Sequence, residues 1–319
     1  MLQDHFLNVI AKQLPGDITL ISAIADTLEI SYPSAQRRVS NSAKFSFEEA
    51  IILAKAYNIS LDLLYDTGDN NTISVHKTEV ITGIKDFEAY FLRSTKLLEP
   101  LLAIPNVKIT YAAKDLPIFY TSEGVLAKFK LFVWLKILDP DFTINNFDMF
   151  KLPASVIKAY SNFGKLYRNL PIDEFWDVTT INSILKQLDF YKTSGIISKE
   201  NALTICDELI VIIKSIQQKT TPESNFKIYY NELLLMSNSV LIETPIKNSV
   251  FVPFSVVNYF NTSDPLTCKQ FSKTIKYQMN HSKLLNTSGE KEKSMFFNRL
   301  LQKVTNFKVH IEAENEFGF

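Results

Sequence analysis

The first 64 residues set the tightest limit on the fold, because apolar residues recur there at helical spacing in runs too short for anything but a small bundle. Phe6, Leu7, Ile10 and Leu14 mark one face of a first helix, which Pro15-Gly16-Asp17 stops with a turn. Leu20, Ile21, Ile24, Ala25 and Leu28 repeat the pattern and give a second short helix that ends before Glu29-Ile30. Ser31 stands at an N-cap position, Pro33 falls in the first turn where its missing N–H costs nothing, and Ala35 with Val39 forms an i, i+4 apolar pair. This third helix turns Tyr32, Ser34, Gln36, Arg37 and Arg38 mainly outward. Ser46 caps a fourth helix from Phe47 to Tyr57, with Ala50, Leu53, Ala54 and Tyr57 facing inward, and Ser60-Leu-Asp-Leu-Leu64 begins a fifth.

Three stretches share a register with a known family: Ile24-Ala25-Asp26-Thr27-Leu28-Glu29-Ile30-Ser31, then Arg37-Arg38-Val39, then EAIILAKAYNISLD from Glu49 to Asp62. Residues 3 to 66 resemble the lambda-repressor-like (Cro/XRE) helix-turn-helix family, whose last two helices typically read LAKALGVSLDEL. The family favours glycine in the helix-to-helix turn, where this chain has Glu29, and often an apolar residue late in the recognition helix, where it has Arg38. The resemblance implies DNA binding, with the third helix in the major groove and flanking side chains on phosphates. Gln36 then suits adenine and Arg37 guanine, because each offers the fork those base edges need. Ser31, Tyr32, Ser34, Arg38 and Lys44 are the candidate phosphate contacts. Such sites are commonly two half-sites about one helical turn apart, so the chain is expected to act as a homodimer on double-stranded DNA. The dimer interface is expected mainly in the larger domain.

Net charge is zero, 34 bases against 34 acids, which argues against a protein that coats nucleic acid nonspecifically. Residues 1 to 70 hold five bases and nine acids, although a DNA-binding domain is ordinarily basic. Three of the five bases, Arg37, Arg38 and Lys44, fall within eight residues of one another.

Asp66 to Thr72 is polar and turn-rich and reads as the boundary between a domain of residues 1–68 and one of residues 72–319. Beyond it, Phe87 to Leu102 suggests a helix, Val107 to Tyr111 a strand, and Leu126 to Ile137 a strongly apolar helix. Further helices are predicted over Ala154–Leu170, Thr179–Thr193 and Lys199–Lys219. From Phe226 to Asn258 strand-favouring runs take over, including Leu233-Leu-Leu and Val250-Phe-Val, with Pro245 to Ser249 as a hairpin link. Two helices close the chain near 265–285 and 290–305. The expected fold class is α+β, mostly α: a five-helix N-terminal domain and a larger helical domain holding an antiparallel sheet, with a subdivision weighed near residue 225.

The sequence points to no catalytic or metal site and to no cofactor. Four scattered histidines lack any ligand spacing, and neither GxxxxGK[ST] nor GxGxxG occurs. Ser155-Val-Ile-Lys158 matches a serine-lysine spacing without its KTG or SDN partners. Lys114-Asp115 and Asp139-Pro-Asp141 are read as turn and capping residues. Cys206 and Cys268 are read as buried reduced thiols, and Phe129, Phe132 and Trp134 as core side chains that double as candidate pocket-lining residues. The N-terminus lacks a secretory leader and no segment approaches 18 uncharged apolar residues, so a cytoplasmic protein that contacts no membrane is expected.

The expected function is a non-enzymatic transcriptional regulator, residues 1–68 reading an operator and residues 72–319 supplying dimerisation and effector sensing, the effector being a small molecule or a protein. Two alternatives stand beside it: an interaction adaptor built on a degenerate helix-turn-helix, and an enzyme domain linked to a DNA-binding module.

Overall fold

The structure, a computed structural model, describes residues 2–64, 73–232 and 237–313. The expected linker Asp66–Thr72 and the strand-favouring Leu233–Leu235 lie outside the described residues. The chain divides into two compact units, Met1–Ser74 and Val75–Phe319.

The first unit is a bundle of α1 (Leu2–Ala11), α2 (Leu20–Leu28), α3 (Tyr32–Val39), α4 (Phe47–Ala56) and the single turn α5 (Leu61–Leu64). Its core is the set of faces the apolar spacing predicts: Phe6, Leu7 and Ile10 of α1, Ile24 of α2, Ala35 of α3, and Leu53 and Ala54 of α4. Leu14, Leu28, Val39, Ala50 and Tyr57 pack around that centre.

In the second unit the order is β1 (His76–Lys77), α6 (Ile84–Leu98), β2 (Lys108–Ala112), α7 (Gly124–Leu138), α8 (Ala154–Tyr167), β3 (Ile172–Trp176), α9 (Asn182–Thr193), α10 (Lys199–Lys219), β4 (Phe226–Tyr230), β5 (Val240–Glu243), β6 (Asn248–Pro253), β7 (Tyr259–Thr262), α11 (Pro265–Asn280), β8 (Lys283–Leu284) and α12 (Glu290–Ala313). The strands form one eight-stranded sheet in the order β1-β7-β6-β5-β2-β3-β4-β8. This corrects the expected antiparallel sheet, because β2, β3 and β4 run parallel and only the flanking strands are antiparallel. Parallel neighbours need long crossovers. The helices α7 and α8 supply one between β2 and β3, and α9 with α10 supplies the next. Strands from both sides of residue 225 thus share one sheet.

Alternation along the strands separates two faces. Ile109, Tyr111, Ile172, Trp176, Ile228 and Ile242 join the large core built by the helices, whereas Phe175, Leu241 and Val250 meet Cys268 and Ile275 of α11 on the other side. The helix α7 is buried on every side from Leu126 to Leu135, apart from the half-buried Lys128, as an all-round apolar helix must be. Among the described residues, no helix is long and apolar enough to cross a membrane.

Candidate nucleic-acid interface

The turn between α2 and α3 fixes the geometry of the candidate interface. Thr19 caps α2, accepting from the Ser22 amide at 3.2 Å. At the other end Glu29 adopts the left-handed conformation, φ 52° and ψ 41°, and the Ile30 amide reaches back to the Ala25 carbonyl at 3.0 Å. A left-handed residue followed by that six-to-one hydrogen bond is a Schellman turn, which ends a helix and redirects the chain. Glu29 therefore occupies the backbone state for which glycine is ordinarily selected.

Extended backbone at Ser31 and Pro33 in the first turn then start α3. Ser31 stands at the N-cap position but caps no amide; its hydroxyl donates instead to Ser34 Oγ at 2.9 Å. Ala35 is fully buried and ties α3 to the bundle. On the opposite face Tyr32, Pro33, Gln36 and Arg37 are exposed, Tyr32 above Gln36 and Pro33 above Arg37 at i, i+4. Ser34 is half-buried.

Arg38 has a different placement from its neighbour. Its Nε donates to Glu49 Oε2 at 3.0 Å, its Nη2 to Glu49 Oε1 at 2.6 Å, and its Nη1 to the Ser34 carbonyl at 3.1 Å. Both side chains are 19% exposed. Glu49 also accepts from the Ser46 amide at 2.9 Å while its own amide donates to Ser46 Oγ at 3.1 Å, completing a capping box at the start of α4. The Arg38 hydrogen bond holds the Glu49 carboxyl below the usual glutamate value, against the opposing effect of burial. Arg38 thus locks α3 to α4.

Lys44 is exposed on the loop after α3. Gln3, from α1, shapes that loop: its amide donates to the carbonyls of Arg38 at 2.7 Å and Ala43 at 3.0 Å, and its carbonyl accepts from the Phe45 amide at 3.2 Å. Neither Gln3 nor Glu49 stands out in the sequence, since their partners lie one or more helices away. The interface set therefore resolves into an exposed group of Ser31, Tyr32, Gln36, Arg37 and Lys44, a half-buried Ser34, and an Arg38 taken up by the bundle.

The aromatic candidates of the second unit are core. Phe129 and Phe132 are fully buried and pack edge-on against Phe147 and Tyr191. Trp134 borders a cavity of about 70 Å³ that also takes in Lys130, Asp115, Gln187, Asn238 and Tyr111. Asp115, read from the sequence as a turn residue, is tied to Asn238: its amide donates to Asn238 Oδ1 at 2.9 Å and its Oδ2 accepts from Asn238 Nδ2 at 3.3 Å. Asp139 does form the expected turn, accepting from the Asp141 amide at 3.0 Å.

Elsewhere Ser155 donates to Glu88 at 2.8 Å and Lys158 is exposed. Cys206 and Cys268 are buried free thiols, and burial pushes the Cys206 thiol up to about 12. Among the described residues, no group of three or more His, Cys, Asp or Glu is placed to hold a metal ion. A groove of about 700 Å³ lies at the start of α7, where Glu208 of α10 accepts the Val125 and Leu126 amides at 2.9 and 2.7 Å and so caps that helix from within the chain. No family model, curated protein or solved structure matches this chain.

Proposed function

We propose that the chain is a sequence-specific DNA-binding regulator of transcription, with α3 entering the major groove and the second unit supplying dimerisation and effector sensing. The observation that carries this reading is the α2–α3 pair itself: a left-handed Schellman turn at Glu29 sets α3 on the bundle by Ala35 and leaves Tyr32, Gln36 and Arg37 free on one exposed face. A groove-reading helix needs that combination of a rigid mount and an uncommitted polar face. Gln36 and Arg37 are the base-reading residues of this proposal, Tyr32, Ser31 and Lys44 the phosphate contacts, and Arg38 the brace.

Selection of bound duplexes from a random pool by the full-length protein, followed by sequencing, tests it beside Gln36→Ala and Arg37→Ala variants. Enrichment of a two-fold symmetric site, with relaxed preference at one position in each variant, is the expected result. Failure to enrich any site, with α3 intact by hydrogen exchange, would overturn the proposal and favour an adaptor that uses the same helix face on a protein.

A further inference from the structure

The second unit contains a buried lysine whose ammonium makes a single hydrogen bond among the described residues. Lys130 sits on α7 with 7% of its surface exposed, and its Nζ makes one hydrogen bond, to Gln187 Oε1 at 2.9 Å, while lying 5.2 Å from the Trp134 ring centre. An ammonium carries three protons to donate, so two have no hydrogen-bond partner among the described residues, at a group that is costly to bury. Burial pulls this ammonium down to about 8, with Asp115 opposing the fall. Asp115 lines the same cavity and, among the described residues, its hydrogen bonds go to neutral Asn238. One positive and one negative group thus face a single polar chamber.

That chamber adjoins a second one. Tyr90, Tyr111 and Tyr259 border both, and beyond them a cavity of about 110 Å³ is lined by Leu98, Ile242, Phe163 and other apolar side chains. The pair lies at a favoured place in the fold. Asp115 follows β2 and Asn238 precedes β5, at the carboxyl end of β2, where the strand order reverses: β2 leads on to β3 on one side and β5 to β6 on the other. Ligands of open α/β sheets settle in the crevice outside the carboxyl ends of the parallel strands, at such a change of order.

We propose that these two cavities open into each other past Tyr90, Tyr111 and Tyr259 and together bind a free α-amino acid with an apolar side chain, its carboxylate on Lys130, its ammonium on Asp115 and its side chain among Leu98, Ile242 and Phe163. A zwitterion satisfies the buried Lys130 and the half-buried Asp115 at once, whereas a dianion such as phosphate would meet Asp115 as a repulsive neighbour. Tyr111 and Tyr259, whose hydroxyls lie 3.5 Å apart, line both cavities.

Isothermal titration of the full-length protein, without DNA, against L-leucine, glycine, 4-methylpentanoate and 3-methylbutylamine tests the assignment. Leucine is expected to bind, and the other three roughly tenfold or more weaker, since each lacks one of the three contacts. Asp115→Asn should abolish the preference for leucine over 4-methylpentanoate, and Lys130→Met the preference for leucine over 3-methylbutylamine. Should Lys130→Met not fold by circular dichroism, the near-isosteric Asp115→Asn decides alone. No heat with leucine, equal binding of leucine and 4-methylpentanoate, or a leucine preference that survives Asp115→Asn would each overturn the proposal. The DNA-binding proposal is untouched by any of these results.

Discussion

Replacing Arg38 by alanine removes three hydrogen bonds, two of them to a carboxylate, and unties α3 from α4. Charge-assisted bonds contribute about 1.5–3 kcal/mol when well buried, whereas exposed ion pairs contribute roughly 0–1 kcal/mol. At 19% exposure on each side the Arg38–Glu49 pair lies between these limits. Its loss is expected to cost about 1–2 kcal/mol, a factor of roughly 5–30 in the folded-to-unfolded ratio. Native-state hydrogen exchange of the full-length protein reads this directly, because the amides of α3 and α4 report the stability of their own unit. Their protection should fall by that factor in Arg38→Ala. In Arg37→Ala it should stay within about twofold, the change expected of an exposed side chain. Affinity for the selected DNA site should behave in the opposite way, Arg37→Ala losing about 1–3 kcal/mol through its missing base contact. If both variants weaken DNA binding alike and neither changes protection, Arg38 is a phosphate contact and its bond to Glu49 does not hold the bundle.

Two further outcomes follow from single positions. Glu29→Gly relieves a left-handed side-chain residue and should stabilise the first unit by about 1 kcal/mol, read by the same exchange measurement; unchanged or lower protection would refute the turn. Glu174 is fully buried, accepts from Tyr167, Tyr120 and Trp176, and is pushed by burial from 4.5 up to about 7. Because its folded value is raised, its neutral form adds stability that is fully present below 4.5 and is lost as pH rises through about 7, roughly 3 kcal/mol in all. Denaturant unfolding followed by tryptophan fluorescence should show that loss between pH 5 and 8 and its absence in Glu174→Gln; both tryptophans, Trp134 and Trp176, report the second unit. Equal pH dependence in the two proteins would refute it.

Local rules made the first unit readable. Each helix there carries its own apolar stripe and its own turn residues, so the core of Phe6, Ile10, Ile24, Ala35 and Leu53 follows from spacing alone. The helix Lys199–Lys219 was equally plain, with a serine cap before it and an apolar face along it. The strand β3 was not. Its sequence, Ile-Asp-Glu-Phe-Trp, falls in the gap between the helices expected over Ala154–Leu170 and Thr179–Thr193, where two adjacent acids mask the strand, yet all five residues are buried. What lets two acids sit in a central strand is supplied from far away: Lys108 pairs with Asp173 at 3.1 Å, and Tyr120 and Tyr167 donate to Glu174. Missing that strand turned a mixed sheet into an expected antiparallel one. Lys130 shows the same limit in reverse, since a lysine in a helix is ordinarily solvated and only the packing of α7 on every side reveals that this one is not.

The acid excess of the first unit sets how the proposed interface can work. On and just after α3 the exposed cations are Arg37 and Lys44, because Arg38 is neutralised by Glu49. Binding that releases counterions from about two phosphates per copy gives a slope of log affinity against log salt of roughly −2, and about −4 for two copies on one site. Such a slope leaves little nonspecific affinity, so a single copy holds DNA weakly and the energy must come from base contacts and from a second copy. Under the proposed function the second unit is then required for DNA binding, and an effector bound there would act by changing how two first units are presented to adjacent half-sites. Titration of the selected site from 50 to 200 mM salt measures the slope. A value steeper than about −6 would show that bases outside α3 and its following loop reach the DNA, and the two-cation interface would be wrong.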